Sequence, residues 1–131
     1  MKKILSFALF AFALMSCNAQ TSENQPSQTD DSQQICERID ASKFKEGISN
    51  GAVQVLDVRT PDEYKAGKIA DAKNINFYDA DFSQKVSQSL KKDIPVYLYC
   101  QSGARSQKAM KILKDLGFEV IYELQGGYMR F

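Results

Sequence analysis

The chain has 131 residues, 44% of them hydrophobic and 25% charged, with a formal net charge of +1. That length allows one domain with a real core and is too short for two. The near-neutral balance excludes the strongly basic surface that nucleic acid or an anionic membrane would require. With no histidine anywhere, Cys-His and Ser-His catalytic pairs and histidine metal sites are excluded as well.

Residues Met1–Cys17 open with Lys2 and Lys3, followed by an apolar run from Ile4 to Met15 interrupted only by Ser6. A dozen residues fall short of the ~20 that span a bilayer as a helix. The pattern reads as an export signal. Leu14-Met15-Ser16-Cys17 resembles the lipobox of bacterial lipoproteins, which implies lipidation at Cys17 and a domain held on an envelope membrane, facing the periplasm. Residues 18–34 are almost wholly polar and cannot bury enough surface to offset the entropy of ordering; they are expected to form a disordered tether. The folded domain is expected over residues 35–131. Without Lys2 and Lys3 the chain holds 15 basic and 16 acidic residues.

Within the domain, strands are expected at Cys36–Asp40, Val53–Val58, Lys73–Asn76, Pro95–Tyr99 and Glu119–Tyr122, from β-branched or aromatic runs of strand length. Helical turns are expected at Ser42–Ile48 and, opened by Pro61, at Asp62–Ala66. Phe82, Val86 and Leu90 mark a helix running toward Lys91-Lys92. Ala109, Ile112, Leu113 and Leu116 repeat at helical spacing before Gly117 stops the element. Alternating strands and helices predict an α/β fold with a mostly parallel sheet and helices on both faces. In such sheets, ligands bind beyond the carboxyl ends of the strands.

At that edge stands Cys100-Gln101-Ser102-Gly103-Ala104-Arg105-Ser106. A cysteine between a strand and a helix N-terminus can gather backbone N–H groups around its sulfur. The positive helix end and the Arg105 guanidinium favour thiolate over thiol. Gly103 supplies a backbone conformation costly for other residues. This arrangement activates a nucleophile without a histidine.

The loop resembles the active-site loop of single-domain rhodaneses. Asp57-Val58-Arg59-Thr60-Pro61-Asp62-Glu63-Tyr64, Gly67-Lys68-Ile69, Ala72 and Asn74-Ile75 resemble that family's first motif, and Leu124-Gln125-Gly126-Gly127-Tyr128 its closing motif. Lys68 and Phe131 stand where the family often has histidine and tryptophan. The resemblance implies a five-stranded parallel α/β sheet and a Cys100 persulfide. Cysteine phosphatases place five residues between cysteine and arginine, whereas four separate Cys100 from Arg105; the shorter cradle suits a persulfide sulfur better than a phosphate.

The expected activity is sulfur transfer, with a donor such as thiosulfate or polysulfide and a thiol or cyanide as acceptor, and with no metal or organic cofactor. A persulfide carrier that serves a thiol-redox protein, and a non-catalytic binding module, are the alternatives. Gln101 and Ser102 are expected to face substrate. Asp57 and Arg59 are supporting residues: Arg59 is a candidate partner for Glu63, and Asp57 for the cysteine loop. Gly126-Gly127 reads as a tight turn before a final helical turn. Cys36 reads as a small apolar residue of the first strand; whether it can pair with Cys100 is open from sequence.

Overall fold

The computed structural model describes residues 34–131; the expected export signal, Cys17 and nearly all of the expected tether lie outside the described residues. In chain order the elements are β1 (Ile35–Ile39), α1 (Ala41–Ser49), β2 (Gln54–Asp57), α2 (Pro61–Lys65), β3 (Lys73–Asn74), α3 (Phe82–Ser89), β4 (Val96–Tyr99), α4 (Ala104–Asp115) and β5 (Val120–Leu124), closed by a 3-10 turn at Tyr128–Arg130. The five strands form one wholly parallel sheet in the order β1-β5-β4-β2-β3. None of the helices among the described residues is long and apolar enough to cross a membrane.

Two hydrophobic clusters divide the core. Strand β4 explains the division: its side chains alternate between sheet faces. Val96 and Leu98, with Cys100 just beyond, join Phe82 and Val86 of α3 and Ala109 and Leu113 of α4. Tyr97 and Tyr99 join Phe44 of α1, Ile69 and Leu124 in the other cluster. Phe44 meets both Tyr97 and Tyr99 edge-on, with ring centroids 5.4 and 6.4 Å apart. Cys100 therefore points into the face covered by α3 and α4.

Local chemistry sets the element ends. Asp40 accepts the Lys43 N–H at 3.0 Å and starts α1. Thr60 and Glu63 form a reciprocal capping box on α2, with Pro61 at its first helical position. Helix α4 stops at a Schellman motif: the Gly117 N–H reaches Lys114 O at 2.9 Å and the Phe118 N–H reaches Leu113 O at 3.1 Å. Gly117 has φ +85°, in keeping with its expected role. Gln34, at the end of the expected tether, donates through Nε2 to Lys114 O and Phe118 O, both at 3.0 Å.

Three boundaries differ from the sequence expectation by two residues or more; the others agree to within one. Helix α3 ends at Ser89 rather than reaching Lys91-Lys92. The Gln54 side chain captures that segment, accepting the Lys91 N–H at 2.7 Å and donating to Lys91 O at 2.8 Å. Strand β3 closes at Asn74, whose side-chain amide turns back to Asp57 O and Arg59 O. Strand β5 runs on to Leu124, two residues beyond expectation. Glu123 interrupts its apolar pattern without interrupting its backbone ladder.

Candidate active site

Strand β4 delivers Cys100 to the carboxyl edge of the sheet, and α4 begins four residues later. Between them Gly103 takes φ +103°, a left-handed conformation open to glycine at little cost. This fold of the loop brings the Gly103 N–H to 3.0 Å from Cys100 Sγ. The Ser106 hydroxyl lies 3.3 Å from the same sulfur. Cys100 is 1% exposed. Burial pushes its thiol up, but the Ser106 hydroxyl and the N–H groups of Ser106, Gly103 and Ser102 pull it further down, to below its ordinary value.

The back of the loop is held by the closing turn. Gly126 and Gly127 have φ of +80° and +64°. A Cβ at Gly127 would lie 2.6 Å from Cys100 O and from Gln101 backbone atoms. This close approach lets the Tyr128 N–H reach Cys100 O at 2.8 Å and the Met129 N–H reach Gln101 O at 3.1 Å. The expected tight turn and final helical turn are present, and together they form a wall of the loop.

Both flanking arginines are paired. Arg59 is 1% exposed and Asp57 fully buried. Asp57 accepts the Arg59 backbone N–H at 2.9 Å and grips its guanidinium through Nε at 3.0 Å and Nη2 at 2.6 Å. Burial acts to lower the Arg59 pKa, but Asp57 outweighs it and holds the guanidinium above its ordinary value. The remaining donors go to Gly67 O at 2.6 Å and Gln101 Oε1 at 3.2 Å. The guanidinium lies 4.1 Å from the Tyr128 ring centroid, within cation–π range. Arg105 makes a two-pronged contact with Glu63, at 2.8 and 2.7 Å. That contact, with the Thr60 capping bonds, holds Glu63 at about 2 against the upward push of partial burial.

These pairings change three expectations. Glu63 binds Arg105, not Arg59, because α2 turns its first-turn acid toward the β4 loop. Asp57 does not reach the cysteine loop; Arg59 spans that gap by donating to Gln101. Arg105 hydrogen-bonds Glu63 and acts on Cys100 through space, so Ser106 and the loop amides are the groups that hydrogen-bond the sulfur. Gln101 is half-buried under the Arg59 contact, while Ser102 and Ala104 are exposed at the mouth.

Neither Cys36 nor Cys100 is in a disulfide, and strand register keeps them apart. Cys36 pairs with Ile121, which pairs with Val96 on the next strand. Cys100 is four residues past Val96, roughly 13 Å along the strand at ~3.3 Å per residue. Disulfide geometry needs Cα atoms within about 7 Å.

Residues 40–131, most of the chain, match the family model of the rhodanese-like domain. The chain belongs to the rhodanese-like family. It is 34% identical over 99 residues to the uncharacterized protein YqhL of Bacillus subtilis, covering 76% of this chain and 75% of that protein. It is 31% identical to a tRNA uridine(34) hydroxylase of Anaplasma phagocytophilum over 72% of this chain, but spans only 36% of that longer relative. The rhodanese-like domain of the Anabaena sp. Alr3790 protein superposes with a TM-score of 0.64 at 29% identity, covering 71% of this chain and 70% of that one.

Sequence reasoning missed two charged residues of this rhodanese-like domain. Glu123 is fully buried; it accepts the Ser106 hydroxyl at 2.6 Å and Arg38 Nε at 2.8 Å. Its signal was available: Ile121 and Glu123 share a strand face, so continuing β5 past Tyr122 places an acid on the side that covers Cys100.

Proposed function

We propose that this domain is a sulfurtransferase working through a Cys100 persulfide. The observation that carries the reading is the Gly103 N–H at 3.0 Å from a buried sulfur, in a loop whose hydrogen bonds hold the cysteine below its ordinary pKa. The Cys100 thiolate attacks the outer sulfur of thiosulfate. A new S–S bond forms, the old one breaks, and its electron pair leaves with sulfite. The negative outer sulfur of the persulfide then sits among the loop N–H groups. A thiophilic acceptor attacks that outer sulfur and the electron pair returns to Cys100 as thiolate. No proton-carrying histidine is needed. The hydroxylase named among the relatives is a longer protein, of which this chain spans about a third.

A protein acceptor has a specific observation in its favour. Tyr78 and Met129 are 67% and 70% exposed, and both attach to the loop. The Arg105 guanidinium lies 5.6 Å from the Tyr78 ring centroid, and the Met129 N–H bonds Gln101 O. On this carrier reading, small donors load slowly and a protein persulfide loads fast. We further propose that the chain is exported and lipid-anchored through Cys17 in a bacterial envelope; labelling with a tagged fatty acid, lost in Cys17→Ser, tests that proposal.

Intact-mass analysis after incubation with thiosulfate tests the activity. Gain of one sulfur, removed by cyanide, prevented by Cys100→Ser and retained in Cys36→Ser, supports sulfur transfer. No gain from thiosulfate, polysulfide or a protein persulfide by folded, reduced protein overturns it and leaves the binding-module reading.

A further inference from the structure

The sulfur-transfer reading makes no use of the buried acid beside Ser106. Glu123 is fully buried and paired through Oε2 with Arg38 at 2.8 Å. Its other oxygen faces Ser106, and Ser106 is surrounded by acceptors: Glu123 Oε1 at 2.6 Å, Gly103 O at 3.2 Å and Cys100 Sγ at 3.3 Å. A serine hydroxyl has one proton to give. The contact to Glu123 has the length of a charge-assisted O–H···O⁻ bond, so Glu123 competes for the proton through which the Ser106 hydroxyl bonds the sulfur.

With the proton on the Glu123 side, Ser106 suits a thiol, whose S–H can donate to Ser106 Oγ. It does not then suit a thiolate, which needs that proton for itself. We propose that Glu123, fixed by Arg38, is a positioning residue that competes with the Cys100 thiolate for the Ser106 proton and so weights the site toward the persulfide. In a persulfide the inner sulfur is bonded on both sides and neutral. The negative charge has moved out by one S–S bond, about 2 Å, away from Ser106 and toward the loop amides. Glu123 therefore penalises the unloaded thiolate more than the loaded cysteine.

The other charged groups around the loop are already engaged or set back. Arg105 of α4 is held by Glu63 of α2, Arg59 by Asp57 at the end of β2, and Arg130 of the closing turn lies against Gly126. Tyr99 and Tyr128 pack on Arg59. Among the described residues, none of these side chains hydrogen-bonds Cys100 Sγ. The thiolate half of the proposal stands on this geometry alone; the persulfide half rests on the sulfur-transfer reading.

The decisive measurement is the pH dependence of iodoacetamide alkylation, read on the Cys100 peptide of the whole protein. Glu123→Gln keeps the shape and removes the competing charge. Its expected effect is a fall of the apparent Cys100 pKa by about one unit, or about tenfold faster alkylation below the titration. Glu123→Asp, which keeps a charge for Arg38 but shortens the reach to Ser106, moves it in the same direction by about threefold. In a Ser106→Ala background the Glu123→Gln gain falls below about threefold, because the freed donor is gone. An unchanged or raised pKa in both Glu123 variants overturns the proposal. So does a gain that survives undiminished in the Ser106→Ala background, which would make it a through-space charge effect. Above the thiol titration, at a fixed thiosulfate-to-sulfite ratio, Glu123→Gln is expected to hold about tenfold less persulfide relative to thiolate. An equal ratio overturns the persulfide half. No persulfide in any variant, wild type included, overturns sulfur transfer while the alkylation profiles still judge Glu123.

Discussion

The loops leaving β2 and β4 lie on adjacent strands at the same edge of the sheet, and they handle polarity in opposite ways. After β2, Asp57 takes the backbone and side-chain donors of Arg59, and Asn74 takes the carbonyls of Asp57 and Arg59. That turn satisfies its charges internally and becomes a wall. After β4, loop N–H groups and a hydroxyl converge on one sulfur. The anion they serve is made only when the cysteine ionises or carries sulfur. Buried charge that is fully paired builds structure; directed donors around a reactive atom build a site.

Several perturbations can break or sharpen that contrast. The largest is Asp57→Asn, which leaves the buried Arg59 guanidinium without its counter-charge. It is expected to cost about 3 kcal/mol in urea unfolding, while the alkylation pH profile of Cys100 stays close to wild type. An equally large shift of that profile would show that the two loops do not work separately. Gly127→Ala combines a positive φ with a contact against the Cys100 and Gln101 backbone. It is expected to cost about 2 kcal/mol and, unlike Asp57→Asn, to slow Cys100 alkylation and sulfur loading together.

Glu63→Gln is smaller. The pair is partly exposed, with side-chain exposures of 17% for Arg105 and 29% for Glu63, so its loss is expected to cost about 1 kcal/mol. The sign of its pH dependence follows from the depressed carboxyl. Its contribution is complete above the ordinary carboxylate value and is lost as pH falls from there through about 2. Acid unfolding of Glu63→Gln should therefore converge with wild type toward pH 2. A difference that persists undiminished to that pH would show that Glu63 stabilises by packing instead. Cys36→Ser is the smallest: it leaves sulfur loading by mass unchanged, since register sets Cys36 far from the loop.

Much of this was legible in the sequence. The β-branched and aromatic run Val96-Tyr97-Leu98-Tyr99, the Gly117 stop and Pro61 at the start of α2 are local signals, because they reflect backbone preferences within a few residues. The strand-loop-helix setting of Cys100 and Gly103 is local for the same reason, so the parallel α/β fold and the candidate nucleophile could be read directly. Partners were not legible. Glu63 meets Arg105 and Glu123 meets Ser106 across 42 and 17 positions of chain, and nothing within either segment states which cation or hydroxyl its acid will face. The end of β5 was misplaced because a charged residue in a strand looks like a boundary until the sheet shows that Arg38 and Ser106 cover it. Sequence by itself determined the elements, the fold class and the cysteine loop. Tertiary structure decided how each buried charge is balanced, because that depends on strand order and register bringing distant side chains to one edge of the sheet.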